Sequence, residues 1–314
     1  MPARAPVPPE LVDRVFSTRQ AQDLGLPRDR LRATDIRRIR PGLHAHGDAQ
    51  PSELAEAAAL RYWRPRLWLS HASAARRFDL WAPRRLLEDA RLHVCVPAGR
   101  PPVRAGGIAG RQRAVGPREV LAHDGVPYAP RGLAGWVTTP GRTWLDLAPE
   151  LSVDQLVVIA DQLVRHPYPR LDGRREPWET RAGLAALLGA HAGARGLSRA
   201  REALALGRVG ADSPQETRLR LALVRAGLPE PELQINLDPA SRTSVAADMG
   251  YRAHRIAVHY EGAYHRTPEQ LERDIRRDEC FTASGWRNYR FTREDARQGF
   301  QRAVVVLGAA LTRP

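Results

Sequence analysis

The chain has 314 residues, 43% hydrophobic and 27% charged, enough for two or three domains with a sizeable core and ordinary for a soluble protein. Its net charge of +14 is carried by arginine alone, since no lysine occurs, and it favours a polyanionic partner, nucleic acid first. Two cysteines, Cys95 and Cys280, exclude a disulfide framework or a zinc-ligand spacing, and no apolar run approaches the roughly 20 residues of a membrane helix, so a reduced, cytoplasmic protein is expected.

The first ten residues lack a signal-peptide core and read as a disordered lead. Residues 11–50 read as a helix-turn-helix with a wing. Ser17 or Thr18 caps a helix starting near Arg19, Ala21 and Gly25 suit a close helix crossing and its turn, and Pro27 opens a second helix over residues 28–34. Two short strands then flank the Pro41-Gly42 turn. Arg28, Arg30 and Arg32 would enter a major groove, and Arg37, Arg38 and Arg40 would hold phosphate or minor groove.

Residues 51–210 read as a mixed α/β middle domain. Helices are expected over 51–62 and 70–80, a strand over 92–97, and a Gly/Arg/Pro-rich loop or weak hairpin over 99–116. Further helices follow at 139–147, 151–164, 178–188 and 196–206, with a linker over 166–177. His71 and Ser73 have no third partner for a nucleophilic triad and read as packing or capping groups. The arginine surplus concentrates here, with 24 arginines against 15 acids, while residues 211–314 carry 16 against 14.

In residues 211–314 the order is α-β-β-β-α-β-α, an α/β sandwich. A helix opens at Ser213-Pro214. A strand over 233–237 precedes a hairpin of 244–251 and 255–261, then come a helix over 268–284, a strand over 286–291 and an amphipathic helix over 293–311. Alternation puts His259 and Glu261 on the strand face opposite Tyr260. Asp248 on the facing strand and Glu216 on the first helix would converge there. Asp248 and Glu261 are candidate magnesium ligands, Glu216 and His259 are further candidate catalytic residues beside them, and His265 would act as general base or contact phosphate. Arg273 and Arg277, one turn apart, would hold flanking backbone.

The pattern Ser213-Pro214-x-Glu216, Asp248, Tyr260-Glu261-Gly262-x-x-His265, Arg273-Asp274-x-x-Arg277-Asp278 and Gly285-Trp286-x-x-x-Arg290-Phe291 resembles the domains related to very-short-patch-repair (Vsr) endonucleases, in the PD-(D/E)xK restriction-endonuclease-like superfamily. Upstream, Arg40-Pro41-Gly42-Leu43-His44, Leu69-Ser70-His71-x-Ser73-Ala74-Ala75, Val94-x-Val96-Pro97 and Thr139-Pro140-x-Arg142-Thr143 resemble the AbiEi-like antitoxins of type IV toxin–antitoxin systems. The resemblance implies a DNA-binding regulator with a cognate toxin as a candidate partner. It departs at two points. Relatives carry Glu-x-Asp-Gly where this chain has His259-Tyr260-Glu261-Gly262, and the superfamily's lysine has no counterpart here. Two readings stay open: a double-stranded-DNA-binding, antitoxin-like regulator with a degenerate nuclease fold, or a magnesium-dependent DNA endonuclease.

Overall fold

The computed structural model describes residues 5–121, 136–238, 245–262 and 268–312, without the side chains of 268–271, 273 and 274. The chain is a mixed α/β protein. It divides into two compact units, Met1–Glu150 with Gly193–Gly196, and Leu151–Ala192 with Leu197–Pro314. This division differs from the boundaries at 50/51 and 210/211 expected from sequence.

The first unit runs β1 (Val15–Ser17), α1 (Thr18–Asp23), β2 (Ile36–Arg40), β3 (Leu43–His46), α2 (Glu53–Arg61), β4 (Trp68–Leu69), α3 (His71–Arg77), α4 (Arg84–Leu87), β5 (Leu92–Pro97), β6 (Ile108–Arg113), β7 (Val120–Leu121), β8 (Val137–Thr138) and α5 (Pro140–Leu147). Ser17 caps α1, its hydroxyl accepting from the Gln20 amide at 3.1 Å. The hairpin β2–β3 turns at Gly42, whose φ of +82° is the conformation glycine adopts without steric cost. It pairs with β1 into an antiparallel sheet of order β1-β3-β2.

The expected second helix is only a single 3₁₀ turn, Asp29–Arg32. Leu31 is its only apolar anchor, and a short segment with so little to bury does not propagate a helix. The segment expected as a loop over 99–116 instead contains β6, which adds in parallel to β5 in a mixed sheet of order β6-β5-β4-β8-β7. The two sheets share one core: Val15, Leu43 and Ala45 join Leu67, Leu69, Val94 and Val137.

The second unit runs α6 (Val153–Val164), α7 (Pro169–Asp172), α8 (Arg181–Ala190), α9 (Leu197–Leu206), α10 (Pro214–Arg225), β9 (Glu232–Asn236), β10 (Ala246–Tyr251), β11 (Ile256–Glu261), α11 (Pro268–Ala283), β12 (Arg287–Thr292), α12 (Arg293–Arg297) and α13 (Gln301–Leu311). Its sheet has order β12-β11-β10-β9, antiparallel except for the parallel pair β11–β12 that α11 connects. One face packs Met249, Ile256, Val258 and Phe291 against Leu219 and Leu223 of α10 and Leu307 of α13. The other packs Ile235, Ala247 and Ala257 against Phe281 of α11. The last expected helix is split at Gly299 and Phe300, both left-handed, so α12 and α13 form separately.

A buried polar joint ties α6 to α10. Asp161, fully buried, accepts from the Arg208 amide at 2.7 Å, Thr217 Oγ1 at 2.9 Å and Arg220 Nη2 at 2.8 Å. Arg220, also buried, donates through Nη1 to the Leu206 carbonyl and Glu230, each at 2.9 Å. Both charges are compensated from several sides, as burial demands.

Candidate functional site

On the N-terminal sheet the six candidate arginines separate into two groups. Arg30 makes a bidentate pair with Asp35, at 2.7 and 2.6 Å, and donates to the Ala5 carbonyl at 2.9 Å. Arg40 ion-pairs with Glu56 of α2 and donates to the carbonyls of Ala90 and Gly107, each at 2.9 Å. Both guanidinium groups expected at a groove are thus engaged within the unit, and the Arg30 side chain is only 9% exposed. Arg28, Arg32, Arg37 and Arg38 are exposed, and among the described residues none forms an ion pair with a carboxylate. Arg37 donates to the Ala49 carbonyl at 2.6 Å and Arg28 lies beside the Gln22 amide. His44, opposite Arg38 on the hairpin, is held below the usual imidazole range by burial and by that arginine's charge.

In the second unit, Ser213 and Pro214 start α10 as expected, with the Ser213 hydroxyl accepting from the Glu216 amide at 3.2 Å. This places Glu216 on the first turn, buried, where its carboxylate accepts from the Asp212 amide at 2.8 Å. Burial, followed by the nearby Asp248 charge, pushes the Glu216 carboxyl up to about 8. Asp248 itself accepts from the Tyr260 amide at 2.7 Å, which locks it to β11. Asp212 extends this acidic edge, accepting from Tyr168 Oη at 2.6 Å and Gln234 Nε2 at 2.9 Å, and burial raises its pKa.

Glu261 and His259 sit in other surroundings. Glu261 ion-pairs with Arg290, which also binds Asp278 of α11. The parallel register sets Arg290 opposite His259 and so within reach of the end of β11. Asp278 is therefore a tether between α11 and β12, rather than part of a solvated charge ladder. His259 is buried edge-on to Phe281, with ring centroids 6.0 Å apart. Burial, then the charges of Arg277 and Arg290, hold it down at about 4. Neither ring nitrogen meets hydrogen-bond geometry with a partner among the described residues, while the nearby Asn288 side chain opposes the downward shift.

No group of three or more His, Cys, Asp or Glu side chains among the described residues is arranged to hold a metal ion. The structure brings Glu216 to Asp248. It does not assemble Asp248 and Glu261 into a ligand pair, because Arg290 takes the Glu261 carboxylate. Among the described residues the expected pairing is therefore not assembled, while Glu216 and Asp248 lie close enough for their charges to interact. His265 lies outside the described residues, as does the side chain of Arg273 on α11.

Sequence reasoning missed the roles of Arg290 and Asp278. Both stood in the recognised motifs, but their pairing depends on the parallel neighbour of β11, which alternation along one strand does not reveal. The Asp161–Arg220 joint spans 59 residues and left no local signal.

Comparison with protein families, with curated proteins and with solved structures finds no match for this chain. No helix among the described residues is long and apolar enough to cross a membrane.

Proposed function

We propose that this chain is a double-stranded-DNA-binding protein of the antitoxin-like regulator type, contacting phosphate through the N-terminal hairpin and the turn before it. One observation carries the reading: Arg28, Arg32, Arg37 and Arg38 are exposed without a carboxylate partner among the described residues, while Arg30 and Arg40 hold the scaffold beneath them. An arginine already paired with a carboxylate has little left to offer a phosphate, whereas an exposed fork binds it bidentately and releases counterions. On this reading the C-terminal unit keeps a nuclease-like αβββαβ order with no complete cation site among its described residues, and a cognate toxin is a candidate partner.

The test is fluorescence anisotropy on duplex DNA across a salt series. Arg32→Ala with Arg38→Ala should weaken binding and flatten the dependence of log K on log salt by about 1.8, at about 0.9 per phosphate contact. Unchanged affinity and slope would remove the hairpin from the interface.

A second reading, a magnesium-dependent DNA endonuclease, draws support from the closeness of Glu216 and Asp248 in the nuclease-like unit. Nicking of supercoiled plasmid with magnesium or manganese, abolished by Asp248→Ala, would establish it. Intact plasmid with both ions across a wide pH range would reject it.

A further inference from the structure

A second basic surface of the first unit borders the hairpin turn at Pro41 and Gly42 and is lined by a different set of arginines. Trp63, just after α2, lines two neighbouring cavities, of about 810 Å³ and about 190 Å³. Arg64 lines both as well, its guanidinium carbon 4.7 Å from the Trp63 ring centroid, and its Nε has no hydrogen-bond partner among the described residues. Arg19 and Arg104 border the larger cavity, and Arg66 and Arg100 the smaller. Among the described residues no carboxylate lines either one. Five arginines thus surround one partly exposed indole, in a trough with the apolar floor of Leu60, Val103 and Ile108.

Arg64, Arg66, Arg100 and Arg104 have no carboxylate partner among the described residues, Arg19 pairs with Asp23 at 3.9 Å, and the centre of the trough is an aromatic surface. A guanidinium–indole layer offers a planar, polarisable face on which any base can stack, and the flanking arginines are spread as a phosphate strand requires. The bases of a duplex are stacked on one another and do not present such faces, whereas those of an unpaired strand do. Pro101 and Pro102 stiffen one wall, so little ordering is needed on binding.

We propose that the Trp63 trough is a binding site for single-stranded DNA, with a base stacked on the Trp63–Arg64 layer and backbone phosphates on Arg66, Arg100 and Arg104. The proposal extends the DNA-binding reading from duplex to unpaired strand, and the two fail separately.

The probe is a fluorescein-labelled oligothymidylate of about 12 nucleotides, within the span such grooves cover, titrated with full-length protein. Trp63→Ala should weaken binding about tenfold or more, as loss of one stacked base does, whereas Trp63→Phe keeps most of the affinity. Arg100→Ala with Arg104→Ala, both on exposed positions, should flatten the salt dependence by about 1.4. Arg32→Ala with Arg38→Ala should leave oligothymidylate binding intact while weakening the duplex. A Trp63→Ala protein with the wild-type melting temperature and wild-type affinity overturns the proposal. Where Trp63→Ala proves unstable, the exposed double variant decides, and unchanged affinity and slope overturn it equally. Competition by inorganic polyphosphate as strong as that by the oligonucleotide would show charge without stacking, and would also overturn it.

Discussion

Replacing Glu216 with glutamine removes an acid whose pKa is raised by burial and by the nearby Asp248 charge, and keeps an oxygen able to accept from the Asp212 amide. In the folded protein this carboxyl titrates at about 8 rather than at the ordinary 4.5. Below about pH 4.5 it is protonated whether the chain is folded or not, and the variant and the wild type should then differ least. As pH rises from there, the unfolded chain releases its proton first, so the wild type loses stability until the folded group has also ionised near pH 8. At about 1.36 kcal/mol per pH unit, the stability lost by the wild type is on the order of 3 kcal/mol at pH 7, with a ceiling of about 5 kcal/mol above pH 8. Urea denaturation of both proteins at intervals between about pH 5 and pH 9 reads this directly as a widening gap in favour of Glu216→Gln. A gap that stays constant over that range refutes the claim that burial and Asp248 keep Glu216 protonated.

Three other expectations follow from the second unit. Asp161→Ala leaves Arg220 buried without its main counter-charge and should cost about 3–5 kcal/mol, read as a lowered melting temperature; a loss under about 1 kcal/mol would show the joint to be dispensable. His259 titrates at about 4 in the fold against 6.5 when exposed, so wild-type stability falls as pH drops through that window while His259→Phe stays level, and acid denaturation profiles that run in parallel would contradict this. A Cβ added at Gly250 would lie 2.1 Å from the Ile256 carbonyl oxygen, so Gly250→Ala should cost about 1–3 kcal/mol or more and weaken hydrogen-exchange protection along β10 and β11.

Local chemistry made much of this fold legible. Alternation over 256–261 separated Val258 and Tyr260 from Ala257 and His259, and the structure packs them on opposite sheet faces. Ser17 and Ser213 marked helix starts because a hydroxyl before a helical run has an amide to satisfy. The site was less legible because its partners come from distant segments. Arg30 looked like a groove reader until Asp35 and the Ala5 carbonyl claimed it. Glu261 looked like a ligand until the parallel strand brought Arg290 alongside. Spacing along the chain reports which residue types are present, but which guanidinium reaches which carboxylate depends on strand neighbours that emerge only in three dimensions.

The Arg40 clasp bears on how this protein can be re-engineered. Its guanidinium fastens the hairpin to α2 and to the carbonyls of Ala90 and Gly107, and Leu43 and Ala45 are buried in a core completed by residues beyond position 90. The first fifty residues are therefore not a cassette. Grafted alone onto another scaffold they would expose part of a shared interior, so a chimaera should exchange the whole of Met1–Glu150 together with Gly193–Gly196.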